Sequence, residues 1–435
     1  MSMYISTSII LVAMVVAFVL SSIFLKSPDI SMAITAVVGV LFGAGFGWTT
    51  SISRVLVEGL FVNLDIALLF IAASVFVNVY SATGAISTVT RKLVSRFQSK
   101  WVLLAFMAVF MLIPGALTGA GSISIFVLGA MVATIVRAMG LSEKKTAAFV
   151  FIFAILSAAA PPVNLWAMMI ASGSDIPYVG FTLPLLVPIL VVSIFAIIYL
   201  GWGTKRQSKE EILEKLSDGS PDVSWARILL PLATLVALFL VSSYFAFYIP
   251  TLGLPLMFVL STVVAMLCNP KKTSFKEYGA ILNKTFEQIF PLIATVLSVG
   301  MLQNAMSATG VKGLIGITFI TLPVIWIYVT ILIIAPILQG SLNYGSAVVF
   351  GAPLIFLFNS MGYNVTIVAA ALSLMFPIGD CLPPSRITGR LAIETVGYKG
   401  SYGSFLKAIV IPCLALGLVA LVMMIWPSAF AFLVV

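Results

Sequence analysis

The feature that most restricts what this chain can fold into is a pattern that occurs twice. Pro114, Ser124, Gly129-Ala130, Met139-Gly140 and Pro161-Pro162 recur, all shifted by 222 residues, as Pro336, Ser346, Gly351-Ala352, Met361-Gly362 and Pro383-Pro384. Upstream, Ser81-Ala82-Thr83-Gly84 recurs as Ser307-Ala308-Thr309-Gly310 with a shift of 226, so the register changes by four residues in between. Single Gly or Ser matches are cheap in an apolar sequence. A constant offset across five anchors, one of them a Pro-Pro pair, marks an internal repeat. The one long polar stretch, 204–227 (TKRQSKEEILEKLSDGSPDVSWAR), separates the two copies. A short surface helix capped by Ser208 is expected within it.

Composition fixes the medium in which the repeat folds. Of 435 residues, 61% are hydrophobic and 9% charged, against about 45–50% and about 25% in soluble domains. This excludes a soluble enzyme and predicts a polytopic membrane protein. At about 20 residues per helical crossing, the chain has room for roughly ten to fourteen embedded helices. Histidine is absent, and Cys268, Cys381 and Cys413 are too widely spaced for a His/Cys metal site or Cys–His catalysis. The apolar stretch 4–25 has no basic leader and no small-residue cleavage site, and reads as a retained helix rather than a signal peptide.

Hydropathy places first-half helices near 4–25, 30–48 and 61–80, then an interrupted segment 101–138, a helix 144–170 broken at Pro161-Pro162, and a helix near 181–200. The second half repeats the plan with helices near 228–248, 253–268 and 285–306, an interrupted segment 322–360, a broken helix 364–392, and a last helix near 405–430. The interruptions PGALTGAGS (114–122) and PILQGSLNYGS (336–346) suit re-entrant hairpins with tips near mid-membrane. Arg91, Lys92, Arg96 and Lys100 precede the first hairpin, and Arg137, Lys144 and Lys145 follow it, so its ends belong in the cytoplasm. The second is flanked only by Lys312, which places its ends outside. With the hairpins not crossing, each half crosses five times, and an odd number makes the halves inverted-topology repeats.

The expected fold is therefore an all-α polytopic membrane protein. It comprises a first inverted repeat at 1–203, a cytoplasmic linker at 204–227 and a second inverted repeat at 228–435, with both termini outside. Of the 23 Lys and Arg residues, all but Arg54 and Lys312 then face the cytoplasm. The net charge of +9 is in this setting a topology signal rather than the mark of an acidic partner. Trp48, Trp101, Trp202, Trp225 and Trp426 lie near expected span ends, as belt residues do.

Backbone without hydrogen bonds survives at membrane depth only where protein or a polar cavity satisfies it, so both tips and both Pro-Pro breaks are expected to meet at one internal site. Free N–H groups at the restarted helices can hold an anion, and unwound carbonyls and hydroxyls can hold a hard cation such as Na⁺. The expected substrate ligands are Thr118, Ser122, Asn164, Asn343, Ser385 and Arg386. The expected Na⁺ ligands are Gly119, Ser124, Ser157, Ala160, Gly340, Ser346, Gly379 and Asp380. Gly121, Gln339 and Ser341 sit among them. Pro114, Pro161, Pro162, Pro336, Pro383 and Pro384 are expected to shape the hairpins and breaks. Asp380 and Arg386 stand out because ionisable groups inside a membrane are costly. Arg386 is expected as a bidentate carboxylate ligand, as an Asp380 partner that stitches the break, or as a side chain that snorkels to the cytoplasm alongside Arg390.

The order of a Gly/Ser-rich hairpin (TGAGSISIFVLGAMV), a charged turn and the broken helix LSAAAPPVNLWAMMIASGSD resembles the first half of the large membrane (M) subunit of TRAP transporters, in the wider ion transporter superfamily. The block from PILQGSLNYGS to PPSRITGRLA is similar to that family's second hairpin and late Pro-Pro break, and the likeness covers nearly the whole chain in segment order. The resemblance implies an elevator-type secondary transporter, with the hairpins and broken helices moving against a scaffold. It implies Na⁺ as coupling ion with no other cofactor, a small four-helix (Q-type) membrane subunit, and an extracytoplasmic substrate-binding protein. That binding protein would deliver an organic acid, a dicarboxylate, sugar acid or similar carboxylate, across a bacterial or archaeal cytoplasmic (inner) membrane. No nucleic-acid partner is expected. The same architecture also suits a stand-alone dicarboxylate or citrate-type anion symporter, or a cation/proton antiporter titrating at Asp380. An enzyme is disfavoured, because acid–base catalysis needs positioned titratable groups that the interior scarcely offers.

Overall fold

A computed structural model describes residues 3–47, 51–97, 99–204, 223–244, 252–270 and 273–434. The linker residues 205–222, and with them the helix expected after Ser208, lie outside the described residues. The first half runs α1 (Met3–Leu25), α2 (Pro28–Gly45), α3 (Ile52–Val62), α4 (Leu64–Ala82), α5 (Ala85–Arg96), α6 (Lys100–Thr118), α7 (Gly121–Ala138), α8 (Glu143–Ala159), α9 (Leu165–Gly173) and α10 (Thr182–Gly201). The second runs α11 (Trp225–Tyr244), α12 (Leu254–Cys268), α13 (Phe275–Ala308), α14 (Val311–Ile320), α15 (Val324–Leu342), α16 (Ala347–Ser360), α17 (Val365–Met375), α18 (Ile387–Val396) and α19 (Tyr402–Ile425). Among the described residues no strand occurs, and ten helical runs are long and apolar enough to cross a membrane. The protein is an all-α, multi-pass membrane protein.

The repeated sequence anchors become repeated backbone geometry. Gly84 and Gly310 both take left-handed φ values, +77° and +71°, and each starts a short helix, α5 or α14. Both hairpins are helix–turn–helix units, α6/α7 and α15/α16. In each, a π-helical turn follows the tip serine: Ile125–Gly129 after Ser124 and Ala347–Gly351 after Ser346. Ser142 and Asn364 cap α8 and α17 with their side chains, and both helices run toward a cis Pro-Pro bond. Beyond it, Asn164 and Arg386 occupy the N-cap positions of α9 and α18.

Two details depart from expectation. The first hairpin arms continue through Pro114 and Pro336, and the chain reverses further on, after Thr118 and Leu342. Proline removes one N–H donor per site, a loss that membrane helices tolerate where neighbouring groups re-satisfy the backbone; Thr118 Oγ1 separately donates to Pro114 O at 2.8 Å at the end of the arm. Second, α3, α5 and α14 are extra helices of 10–12 residues, too short for a crossing-length hydropathy window.

The helices pack as two groups. In the outer group α1 lies on α2, α2 and α3 on α13, α13 on α4, α4 on α12, and α12 on α11. In the inner group α6, α10, α18 and α19 surround α8, while α15 holds the 3₁₀ turn Phe376–Cys381 that continues α17. The two broken helices form the centre: α8 is buried on every face from Thr146 to Ala159, and α17 from Ile367 to Met375. A helix that is apolar all round must lie inside protein or lipid. Large apolar side chains such as Phe24, Ile194, Leu229 and Leu418 are exposed on α1, α10, α11 and α19, where acyl chains would cover them.

Candidate functional site

In the first half, a chain of buried hydroxyls ties the hairpin to the broken helix. Gly115 N donates to Ser124 Oγ at 2.8 Å, Ser124 Oγ lies 3.0 Å from Ser157 Oγ, and Ser157 Oγ donates to Ala154 O at 2.6 Å. With the shared proton on Ser124, both hydroxyls donate and accept, and each keeps one free lone pair. Past the break, Val163 N donates to Ala116 O at 3.0 Å, docking the unwound segment on the hairpin. Asn164 then clasps the restart. Its Oδ1 accepts from Ala167 N at 3.0 Å, and its Nδ2 donates to Ala159 O and to Ser373 Oγ of α17, both at 2.9 Å.

The second half builds the same junction with different chemistry. Gln339 Oε1 accepts from Ser346 Oγ at 2.8 Å, and Gln339 Nε2 donates to Asp380 Oδ1 at 2.9 Å. Thr388 Oγ1 donates to Asp380 Oδ2 at 2.9 Å, and Ser385 N donates to Gly340 O at 3.1 Å. The tight approach of hairpin to broken helix survives with the glycine exchanged between partners. A Cβ on Gly115 of the first hairpin would collide with Ser157 Oγ, whereas on the second side it is Gly379 of the break that would collide, with the Pro336 carbonyl.

The two halves meet at their tips and breaks. Trp166 Nε1 on α9 donates to Gln339 Oε1 at 2.7 Å. Its ring lies 4.9 Å from that of Tyr344, whose hydroxyl donates to Gly119 O at the first tip at 3.1 Å. Gln339 thus joins both halves and the one carboxylate of the site. Among the described residues no ion pair involves Asp380, and Arg386 is not its partner. The Arg386 guanidinium lies 5.0 Å from the centre of the Tyr402 ring. Its Nε is buried with no hydrogen-bond partner, and its backbone adopts φ +49°.

Burial sorts the residues singled out from sequence. Thr118, Ser124, Ser157, Asn164 and Ser346 are fully buried, and Gly119, Ala160 and Gly379 are buried beside them. Their hydroxyl and amide groups hold the junctions together. Ser122 and Asn343 at the tips, Ser341, and Ser385 with Arg386 beyond the second break are half-buried. Pro161 and Pro162 are likewise half-buried, while Pro383 and Pro384 are exposed. Polar groups open to a ligand therefore come from both tips and the second restart. Gly119 O, Gly340 O and Gly379 O already accept from Tyr344, Ser385 and Leu382, each with a second lone pair remaining. Sequence reasoning missed Trp166, Tyr344, Ser373, Thr388 and Tyr402. Tyr344 lies inside the second tip motif and Trp166 follows the first break by four residues, so adjacency to the motifs could have flagged them. Thr388 follows the second break by the same four residues and carries the same signal, whereas Ser373 carries none.

This arrangement is the fold of a multi-pass membrane protein, with a polar centre assembled from paired hairpins and paired broken helices. Residues 2–205 match the family model of the DctM component of the tripartite ATP-independent periplasmic transporters, in line with the resemblance read from the first motif block. No curated protein sequence matches the chain. The Alcanivorax borkumensis YdaH transporter, whose structure is described as revealing an unusual topology, is similar with a TM-score of 0.62 at 13% identity, over 90% of each chain. Neisseria gonorrhoeae MtrF, described as illuminating a class of antimetabolite efflux pumps, is similar with a TM-score of 0.60 at 11% identity, over 82% of this chain and 80% of its own. At these identities the likeness is one of fold.

Proposed function

We propose that this chain is the membrane permease subunit of a TRAP-type secondary transporter in a prokaryotic cytoplasmic (inner) membrane. In this proposal it imports an organic acid with Na⁺, receives the acid from an extracytoplasmic binding protein, and works beside a small Q-type membrane subunit. The observation that carries it is the match of residues 2–205 to the DctM component. The two halves, 1–203 and 228–435, act as inverted repeats, and the inner helix group moves against the outer one in elevator fashion. The repeated geometry of hairpins, π turns and breaks supports the first statement, and the two-group packing supports the second.

Within this proposal the acid meets Ser122, Asn343, Ser385 and Arg386, whose polar groups are accessible. The unpartnered Nε of Arg386 and the start of α18 both favour a carboxylate there. Thr118 and Asn164 act by positioning. Na⁺ takes second lone pairs of Gly119, Ala160, Gly340 and Gly379, hydroxyls of Ser124, Ser157 or Ser346, and the carboxylate of Asp380. A half-buried carboxylate held by the neutral donors Gln339 and Thr388 gains from a cation at its side.

The fold shared with YdaH and MtrF over most of the chain favours a second reading, a stand-alone anion symporter or a cation/proton antiporter titrating at Asp380. Thermal unfolding of the purified protein in Na⁺, K⁺ or choline, with and without carboxylates, separates them, since a ligand stabilises the state that binds it. Stabilisation by Na⁺ with acids effective only alongside a binding protein supports the tripartite system. Direct stabilisation by free acids replaces it with the stand-alone carrier. Indifference to Na⁺ combined with sensitivity to pH replaces both with proton coupling.

A further inference from the structure

A cavity of about 170 Å³, lined in part by the outer side of the first hairpin, lies between α4, α5, α6, α7 and α11. Its walls are apolar, with Phe76, Val89, Phe110, Leu117 and Leu232 contributed by four of these helices, and Trp225 stands at one end. Trp225 and Leu229 are about half exposed, so the cavity opens outward to where lipid lies. From Trp225 to Leu232 along α11 the wall is roughly 10 Å long at about 1.5 Å per residue. Because α4 and α11 belong to the outer group and α6 and α7 to the inner one, the cavity bridges the seam between them.

The Trp225 end carries a basic rim. Lys92 Nζ lies 5.6 Å from the centre of the Trp225 ring and donates to Val223 O at 3.2 Å. Val223 N in turn donates to Thr88 Oγ1 at 3.3 Å, so α5 and the start of α11 form one shelf. That helix carries Arg91, Lys92 and Arg96 and no acidic residue. An ammonium has three donors and a guanidinium five, enough to share a phosphate with the protein carbonyls. Apolar walls exclude a hydrophilic solute, and a basic rim with an indole beside it suits a headgroup at the membrane interface.

We propose that this cavity takes part of one acyl chain of an anionic phospholipid, with its phosphodiester on the Lys92 and Arg96 face of α5. Placing it in the cytoplasmic leaflet rests on the topology under "Proposed function"; the lipid site itself does not. The test is native mass spectrometry of the protein released from nanodiscs of phosphatidylcholine mixed with phosphatidylglycerol. Wild-type protein should retain phosphatidylglycerol selectively. Lys92→Gln with Arg96→Gln should cut that preference by about thirtyfold, at about fivefold per basic residue near a membrane surface. Leu232→Trp, which fills the cavity, should reduce retention of both lipids. Equal retention of the two lipids by wild-type protein would overturn the proposal, as would unchanged selectivity in the double variant. Loss of bound phosphatidylglycerol on co-purification with a small membrane subunit would also overturn it, by assigning the cavity to a partner helix. None of these outcomes depends on transport, so failure here leaves the proposed function standing.

Discussion

Gln339 is the side chain whose loss should report most directly on how the two halves are joined. Replacing it with Met keeps the length and burial but removes three hydrogen bonds, from Trp166 at 2.7 Å, from Ser346 at 2.8 Å and to Asp380 at 2.9 Å. Ser346 retains the Asn343 carbonyl at 2.7 Å, so the cost falls on the orphaned indole N–H and on the carboxylate. By soluble-protein values these are about 1–3 and about 1.5–3 kcal/mol. Hydrogen bonds between membrane helices average nearer ~0.6 kcal/mol, which sets a floor of about 1 kcal/mol for the pair. Trp166→Phe removes the donor instead and leaves Gln339 Oε1 with Ser346. In the double variant the indole N–H no longer exists, so its orphan penalty disappears, and the double should be less destabilised than the sum by about 1–3 kcal/mol. The assay is a double-mutant cycle by reversible unfolding in mixed micelles. Additivity within about 0.5 kcal/mol would refute the bridge as a coupled contact.

Gly379→Ala should destabilise by about 1–3 kcal/mol, because its Cβ meets the Pro336 carbonyl and lies 2.7 Å from Gln339 Cβ. Gly313→Ala, at a helix position with open space around the added carbon, should be neutral or stabilising by up to about 1 kcal/mol; thermal unfolding of the pair checks both. Arg386→Ala should weaken carboxylate binding by roughly tenfold or more, the worth of a charge-assisted hydrogen bond, with Na⁺ binding nearly unchanged. Asp380→Asn should do the reverse, and titrations showing equal losses in both variants would remove that division of roles. Asn164→Ala should cost about 1 kcal/mol from the lost cap alone. Asn164→Asp keeps the cap but should unfold at lower temperature than wild type, since it sets a carboxylate against Ala159 O where Nδ2 now donates at 2.9 Å.

The elements that the sequence predicts well are those fixed by composition over a long window. The crossing helices, both interrupted segments and both Pro-Pro breaks fall within a few residues of the hydropathy limits, apart from α13, which starts about ten residues earlier. Its start is set by Ser274 and Glu277, which form a capping box with Glu277 Oε2 accepting from Ser274 N at 2.7 Å, a local polar signal ahead of the apolar run. The site was legible as a set of positions but not as a set of jobs. Ser124 and Ser346 share an offset and a π turn. Yet Ser124 joins a hydroxyl chain to Ser157, while Ser346 faces Gln339 because the residue equivalent to Ser157 is Gly379. Which member of a contact carries the glycine is a pairwise choice, invisible to a scan that treats each position alone. The Asn164–Ser373 and Trp166–Gln339 bonds span more than 170 residues, and nothing in a periodicity announces them.

The placement of the breaks explains why the broken helices, rather than the straight ones, form the centre. Each interruption frees backbone donors and acceptors that lipid cannot satisfy, at several kcal/mol per group. Surrounding α8 and α17 with other helices removes that cost only if partners reach the break itself. They do: Ala116 O takes Val163 N, Gly340 O takes Ser385 N, Tyr178 Oη reaches Pro162 O at 3.1 Å, and Tyr402 Oη reaches Cys381 O at 2.7 Å. Two of these partners come from the hairpins, whose own tips would otherwise expose backbone to lipid. Hairpin and broken helix are therefore mutually required. The repeat then has a physical reason to conserve their spacing, the offset of 222 holding from Pro114/Pro336 to Pro162/Pro384, while the register upstream is free to slip by four. A deletion between Gly140 and Ser157 should accordingly abolish folding, whereas one of equal length between Gly84 and Ser99 should be tolerated; membrane-inserted yield of the two variants decides whether the spacing is structural.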